Sequence, residues 1–414
     1  MITTPETLAG DALLERYMGV RRDTLALAEP LSPEDMTVQS MPDASPTRWH
    51  LAHTTWFFEH FLLSRERGHR PYREGWDYLF NSYYYTVGDM HQRPRRGLLS
   101  RPGTDEILAW RAHVDQRMAR LIEGAGEDPE TAFLVNLGLN HEQQHQELIL
   151  TDIKHALSLN PLKPTYRDDI DLAPASQTEL DFHAHPGGIT EIGAQGPEFC
   201  FDNETPRHRE LLNPFELASR PVSNGDYREF IDDDGYQRPE LWLSDGWATI
   251  VQQSWQRPVY WSEGLDSEFS LLGEIELDPH RPACHLSYFE ADAYARWAGA
   301  RLPSEAEWET VAAQQPAAGP QNDKQNCHPG ATQPGALDLG QVWEWTRSSY
   351  SAYPGFKPLA GSLGEYNGKF MSGQMVLRGG SCATPPGHAR PSYRNFFYPQ
   401  ARWQFSGLRL ATDA

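Results

Sequence analysis

His141-Glu142-Gln143-Gln144-His145-Gln146-Glu147, HEQQHQE in one-letter code, decides how the first part of this chain is read. Its first five letters satisfy HExxH, the zinc-peptidase pattern in which two histidines one helical turn apart hold a metal and the glutamate activates water. On a helix advancing about 100° per residue the two histidines lie about 40° apart and share a face. Leu134, Leu137 and Leu148 fall within about 40° of His141, so the pair sits on the buried apolar stripe and not on the solvent side. Two histidines so placed are expected to bind a metal. Glu142 projects about 80° from the centre of the pair and Glu147 about 140°, so neither is a third ligand on this helix.

The peptidase reading fails at that third ligand. A metzincin carries another histidine six residues on, where this chain has Thr151, and a thermolysin-like enzyme needs a downstream glutamate, of which there is none between Glu147 and Glu179. Upstream, RWHLAHTTWFFEH offers His50 and His53, and a helical bundle can bring either across to His141 and His145. Three neutral imidazoles leave half of an octahedral shell open, an arrangement that suits a metal holding two substrates and dioxygen together and that iron(II) tolerates. A three-histidine zinc site stays open at this point.

The surrounding pattern is helical over the first 158 residues. Leu13, Leu14, Tyr17, Met18 and Leu25 recur at helical spacing, and a second helix is expected near Ser45-Pro46 with the serine as cap. A third is expected from Thr104 to a stop at Gly124, with Ile107, Leu108, Val114, Met118, Leu121 and Ile122 as its apolar set; the fourth runs from about Pro129 to Leu157 and carries the motif. Between the second and third lies DYLFNSYYYTVGDMHQRPRRGLLSRP, a loop long enough to be functional and too aromatic to be disordered. The expected division is an all-α bundle over 1–160, a proline-bearing linker over 161–181, and an irregular α+β domain over 182–414. In that second part Ser287 with Glu290 and Ser304 with Glu307 form capping boxes that open two helices.

The 414 residues carry a formal net charge of −21, which argues against nucleic acid or an anionic membrane as partner and favours a small substrate. No apolar run approaches the roughly 18 residues that span a bilayer, and a cytoplasmic protein is expected. Cys200, Cys284, Cys327 and Cys382 are scattered, which predicts reduced thiols and no disulfide framework.

Taken together, LAH (Leu51 to His53), HEQQHQE, PVSNGDYREF (Pro221 to Phe230), PACHLSYFEADAYARWAGARLPSEAEWE (Pro282 to Glu309), GQVWEWT (Gly340 to Thr346), LRGGS (Leu377 to Ser381) and FSGLRLA (Phe405 to Ala411) give a chain that resembles the ergothioneine-biosynthesis sulfoxide synthases. The resemblance covers nearly the whole chain. It implies a DinB-like four-helix bundle followed by a formylglycine-generating-enzyme-like, C-type-lectin-related domain. It implies an iron(II) enzyme with His53, His141 and His145 as ligands, His50 as a neighbour, and hercynine (trimethylhistidine), cysteine and O₂ as small-molecule substrates. A tyrosine pair matching Tyr83 and Tyr84 is implied to be catalytic. Gln144, Asn395 and Phe396 are implied to contact hercynine. Relatives that use γ-glutamylcysteine carry an acidic residue and an arginine where this chain has Phe397 and Ala401, a departure that points to free cysteine, with Arg93 and Arg96 holding its carboxylate. The nearest rivals use the same machinery with γ-glutamylcysteine, with unmethylated histidine or with a selenium donor. A copper formylglycine-generating oxidase would need a close cysteine pair near the C-terminus, where Cys382 stands alone.

Overall fold

The helical periodicity is realised as four long helices: α1 (Gly10–Ala28), α2 (Thr47–Phe61), α4 (Thr104–Ala125) and α5 (Pro129–Ser158), with a short α3 (Trp76–Phe80) between the second and third of them. The computed structural model describes residues 10–126, 128–314, 327–330, 337 and 339–414. α1 packs on α4 and α5, and α2 packs on α4 and α5, the neighbour pattern of a four-helix bundle. α5 starts where Asp128 accepts the N–H of Thr131 at 3.0 Å, with Pro129 in the first turn.

Two sequence expectations shift at the helix starts and faces. Ser45 does not cap α2; the cap position is Pro46, which has no side chain to offer. The Ser45 hydroxyl instead accepts from Arg96 at 2.9 Å and its N–H donates to Asp152 at 2.8 Å. On α1 the buried face is Leu13, Tyr17, Val20, Arg21, Thr24 and Ala28, while Met18 and Leu25 are exposed. The face is rotated because Arg21 and Thr24 are drawn inward to a buried carboxylate, Glu142. α4 behaves likewise: Trp110 and Arg111 join Ile107, Val114, Met118 and Ile122 inside, and Leu108 is exposed. The aromatic loop is structured, with α3 at its start, a 3₁₀ turn at Arg93–Leu98, and the His91 N–H bonded to the Tyr78 carbonyl at 2.8 Å.

The described residues up to Asn160 form one compact unit together with two later segments, Gln195–Phe201 and Lys357–Gly368. The second unit takes Pro161–Ala194, Asp202–Phe356 and Lys369–Ala414. No helix or strand lies between Ser158 and Phe182, and there the N–H groups of Tyr166 and Arg167 bond to the Leu271 carbonyl at 2.9 and 3.1 Å.

The second unit is α+β with small sheets. β1 (Phe182–His185), β4 (Phe215–Ala218) and β11 (Ala411–Asp413) make an antiparallel sheet with β4 central. β10 (Ser406–Gly407), β7 (Trp343–Ser349), β8 (Met375–Arg378) and β9 (Asn395–Phe397) make another in that order, parallel at β10–β7 and antiparallel elsewhere. β2 (Gly188–Ile192) with β3 (His208–Leu212), and β5 (Ser267–Ser270) with β6 (Gly273–Glu276), are two-stranded ribbons. Among the described residues four helices accompany them, α6 (Asn224–Asp232), α7 (Ser244–Gln253), α8 (Tyr288–Trp297) and α9 (Glu305–Ala312), and α8 and α9 open on the two expected capping boxes. α9 delivers Trp308 to the core, where its Nε1–H donates to Glu344 at 2.7 Å and Glu344 pairs with Arg409 at 2.8 Å. Among the described residues no disulfide joins Cys200, Cys284, Cys327 or Cys382. Among the described residues no helix is long and apolar enough to cross a membrane.

Candidate metal centre

α2 and α5 can approach closely because α5 carries Gly138 one turn before His141. A Cβ there would lie 2.6 Å from the Phe58 ring and 2.9 Å from the Phe57 ring, closer than side chains pack. The close crossing brings His53 of α2 against His141 and His145 of α5. All three are buried, and they form a group whose ligand atoms lie within 4.8 Å of one another. The His141 Nε2 is 3.2 Å from the His53 Nε2 and 3.1 Å from the His145 Nε2. Nitrogen ligands at right angles around one ion, with bonds of about 2.1 Å, stand about 3 Å apart, so this spacing suits one shared cation.

The outward nitrogens explain why the inward ones are bare. The His53 Nδ1–H donates to the Phe80 carbonyl at 2.6 Å, which leaves its Nε2 without a proton. Asp152 can only accept, so His50 gives it the Nε2–H at 3.1 Å. The His50 Nδ1 then receives the Nδ1–H of His145 at 2.8 Å, and the His145 Nε2 is bare in turn. His50 therefore lies against the back of His145 and outside the Nε2 group. The His141 Nδ1 is buried without a hydrogen-bond partner among the described residues.

Burial keeps these rings neutral. It pulls His141 down to about 3, and it pulls His53 and His145 well below the ordinary histidine value, the neighbouring histidines adding to the effect. Bare nitrogen lone pairs facing one another at 3.1 Å repel, and a cation among them turns that repulsion into coordination. The three nitrogens could hold a metal ion. Its walls are aromatic: Trp49 stacks on His53 at 4.7 Å, Trp56 stacks on the same ring at 5.5 Å, and Phe57 lies 4.9 Å from His141.

Glu142, the base of the peptidase reading, points elsewhere. It is fully buried and is gripped by Arg111, Arg21 at 2.8 Å and Thr24 at 2.6 Å. Burial alone would raise its pKa, but the charges of Arg111 and Arg21 outweigh that and hold it near 2. A carboxylate locked between two guanidiniums does not activate water.

The predicted tyrosines are split in direction. Tyr84 is buried, its ring 5.7 Å from Trp56 and 5.1 Å from Phe61. Tyr83 has a left-handed backbone, φ +72°, and its hydroxyl accepts from Arg93 at 3.0 Å. Burial raises the Tyr83 phenol, yet Arg93 and Arg96 more than offset this and lower it below the ordinary tyrosine value. Arg96 is buried, holds its guanidinium carbon over the Trp49 ring 3.4 Å from the centroid, and donates to Ser45 and Ser82 at 2.9 and 2.8 Å. Among the described residues neither Arg93 nor Arg96 stands within ion-pair distance of a carboxylate. Gln144 accepts the hydroxyl proton of Tyr366, whose ring meets His141 edge-on at 5.5 Å. Asn395 and Phe396 fall in the second unit, on β9; the Asn395 side chain accepts the Phe396 N–H at 2.9 Å, and Phe396 stacks on Tyr350 at 3.9 Å.

Sequence reading missed Asp152, Trp49, Trp56 and Tyr366. Asp152 stands one residue past Thr151, and an aspartate two helical turns after His145 on the buried face is its signal in the sequence. Tyr366 had none, being 222 residues from Gln144.

Compared with known proteins, residues 16–149 match the DinB superfamily, and residues 171–336 and 330–414 match the sulfatase-modifying factor enzyme 1-like domain. A hercynine oxygenase of Mycolicibacterium smegmatis is 34% identical over 98% of this chain and 100% of the relative. A hercynine oxygenase of Mycobacterium tuberculosis is 32% identical over 100% of both chains. A formylglycine-generating enzyme of Streptomyces coelicolor is 33% identical over 31% of this chain and 45% of its own length.

Proposed function

The chain belongs to the hercynine oxygenase family, and we propose how its residues carry that activity. It is a sulfoxide synthase acting on hercynine. In our reading His53, His141 and His145 hold iron(II), O₂ is the oxidant, and the sulfur of cysteine is joined to the imidazole C2 carbon of hercynine. The single observation that carries this is the convergence of three bare, buried imidazole nitrogens in a chain that matches hercynine oxygenases from end to end.

Iron(II) supplies open coordination positions and the one-electron chemistry that lets O₂ react with a thiol and a closed-shell imidazole. The protein's own residues do the rest. The Phe80 carbonyl and the Asp152–His50 pair orient His53 and His145 and keep their inward nitrogens unprotonated. Trp49, Trp56 and Phe57 exclude water from the ligand rings, which strengthens every polar interaction among them. Arg96 and Arg93, which among the described residues make no ion pair with a carboxylate, are suited to the carboxylate of cysteine, because a guanidinium fork matches a carboxylate. Tyr83, its phenol lowered by those same arginines, is assigned as the proton donor; Tyr84, packed on Trp56, sits in the aromatic wall. Gln144, Asn395 and Phe396 are assigned to hercynine, and Asn395→Ala is expected to raise KM for hercynine while sparing KM for cysteine.

The test is anaerobic reconstitution with iron(II), then addition of oxygen to mixtures of hercynine with cysteine, γ-glutamylcysteine or a selenosugar, followed by mass spectrometry. Hercynylcysteine sulfoxide should form with cysteine. Hercynine left intact with every donor would overturn the proposal, and reaction with γ-glutamylcysteine alone would overturn the reading of Phe397 and Ala401.

A further inference from the structure

We propose that Glu365 is a positioning residue that holds the Tyr83–Thr86 turn in register with the metal-ligand helix; this rests on the catalytic role given above to the tyrosine pair. Its carboxylate accepts the N–H of Tyr85 at 3.0 Å and the N–H of Thr86 at 2.9 Å, one oxygen on each, and also the Thr86 hydroxyl. Two successive amides converging on one carboxylate make a small anion site, and the partner comes from 280 residues further along the chain.

The turn needs such a clasp. Tyr83 holds φ +72°, a conformation a tyrosine adopts only where its surroundings impose it. Asn81 grips the turn from inside through the carbonyls of Tyr84 at 3.0 Å and Gly88 at 3.3 Å. The outer half is more exposed: Tyr85 is 71% exposed, so burial of that ring does not anchor it. Glu365 supplies the outer grip. The next residue, Tyr366, meets the His141 ring at 5.5 Å and donates its hydroxyl to Gln144 of α5. One dipeptide thus touches both the tyrosine turn and the helix that carries two of the three histidines. Displacing Glu365 should move the tyrosines relative to the histidines without removing any group that binds substrate or metal.

These bonds are solvent-exposed and contribute little to global stability, so the variants should fold. Glu365→Ala and Glu365→Gln are compared with the unaltered protein in three measurements. In the metal-free protein, amide exchange read by mass spectrometry on a peptide covering Asn81 to Val87 should rise in Glu365→Ala and rise less in Glu365→Gln, which keeps one acceptor. Iron(II) affinity and KM for cysteine should stay within twofold of the unaltered protein's. The kcat for coupling should fall roughly 10- to 100-fold in Glu365→Ala, the scale of a displacement near 1 Å in a reacting group. Exchange unchanged in Glu365→Ala would overturn the clasp, and so would raised exchange with kcat intact. If the unaltered protein couples hercynine to no donor, the functional reading fails, while the exchange arm still decides whether Glu365 holds the turn.

Discussion

His53→Ala is expected to weaken iron(II) binding by roughly a hundred- to a thousand-fold, whereas His50→Ala should weaken it by only about 10- to 100-fold. A four-ligand structural site is worth about 10–16 kcal/mol, so one ligand carries about 3 kcal/mol. His53 offers its Nε2 to the shared position, 3.2 Å from the His141 Nε2, and no other side chain of α2 does so. His50 acts at one remove: it takes the His145 Nδ1–H and passes a proton to Asp152, and losing it frees the His145 ring to turn or change tautomer. Asp152→Asn should resemble His50→Ala, since the amide can still accept from His50 but no longer supplies the charge that makes His145 a stronger donor. Competition with a fluorescent chelator under nitrogen measures all three. Equal losses for His50→Ala and His53→Ala would make His50 a ligand and undo the assignment.

The contrast between these two histidines shows what a one-dimensional reading can reach. Both stand on α2 and both are buried, so periodicity kept them as equals. Only the crossing of α2 and α5, closed by Gly138, sends one ring to the Nε2 group and the other to Asp152. Helix spans and the two capping boxes of the second unit were legible because their signals are local: a 3.6-residue apolar period, and a serine three residues before a glutamate. Misreadings arose where a local signal had a distant competitor. Ser45 looked like a cap but spends its hydroxyl on Arg96 and its amide on Asp152, 51 and 107 residues away. Arg21 and Arg111 carry the charge of surface residues, so the buried faces of α1 and α4 were drawn too apolar. The Phe80 carbonyl that orients His53 is a backbone atom, and backbone acceptors leave no mark in sequence.

Glu142→Ala is expected to destabilise the helical unit by about 3–5 kcal/mol, the usual loss on breaking a buried ion pair from one side. For a domain of this size that lowers the midpoint of thermal unfolding by roughly 6 to 20 °C, measured on the metal-free protein by circular dichroism at 222 nm. The reason lies in what the substitution leaves behind. Arg21 would keep Asp115 at 2.7 Å, but Arg111 would retain as hydrogen-bond acceptors, among the described residues, the Thr54 hydroxyl at 3.2 Å and the Arg21 carbonyl at 3.0 Å, with Asp115 acting only through space. Burial and the charge of Arg21 already press the Arg111 pKa downward, and Glu142 is the first group that opposes them. Glu142→Gln keeps the volume and one acceptor but not the charge, so most of the loss should remain. Adding Arg111→Met to Glu142→Gln removes the stranded cation, and the double variant should recover part of the midpoint, a coupling that a double-mutant cycle isolates. A peptidase base would behave in the opposite way: a carboxylate kept for catalysis is strained in place, and its removal leaves stability unchanged or raised. Unaltered unfolding in Glu142→Ala would therefore overturn the structural role of this carboxylate, while a large loss identifies Glu142 as the charge that lets α1 and α4 close around α5, the helix bearing His141 and His145.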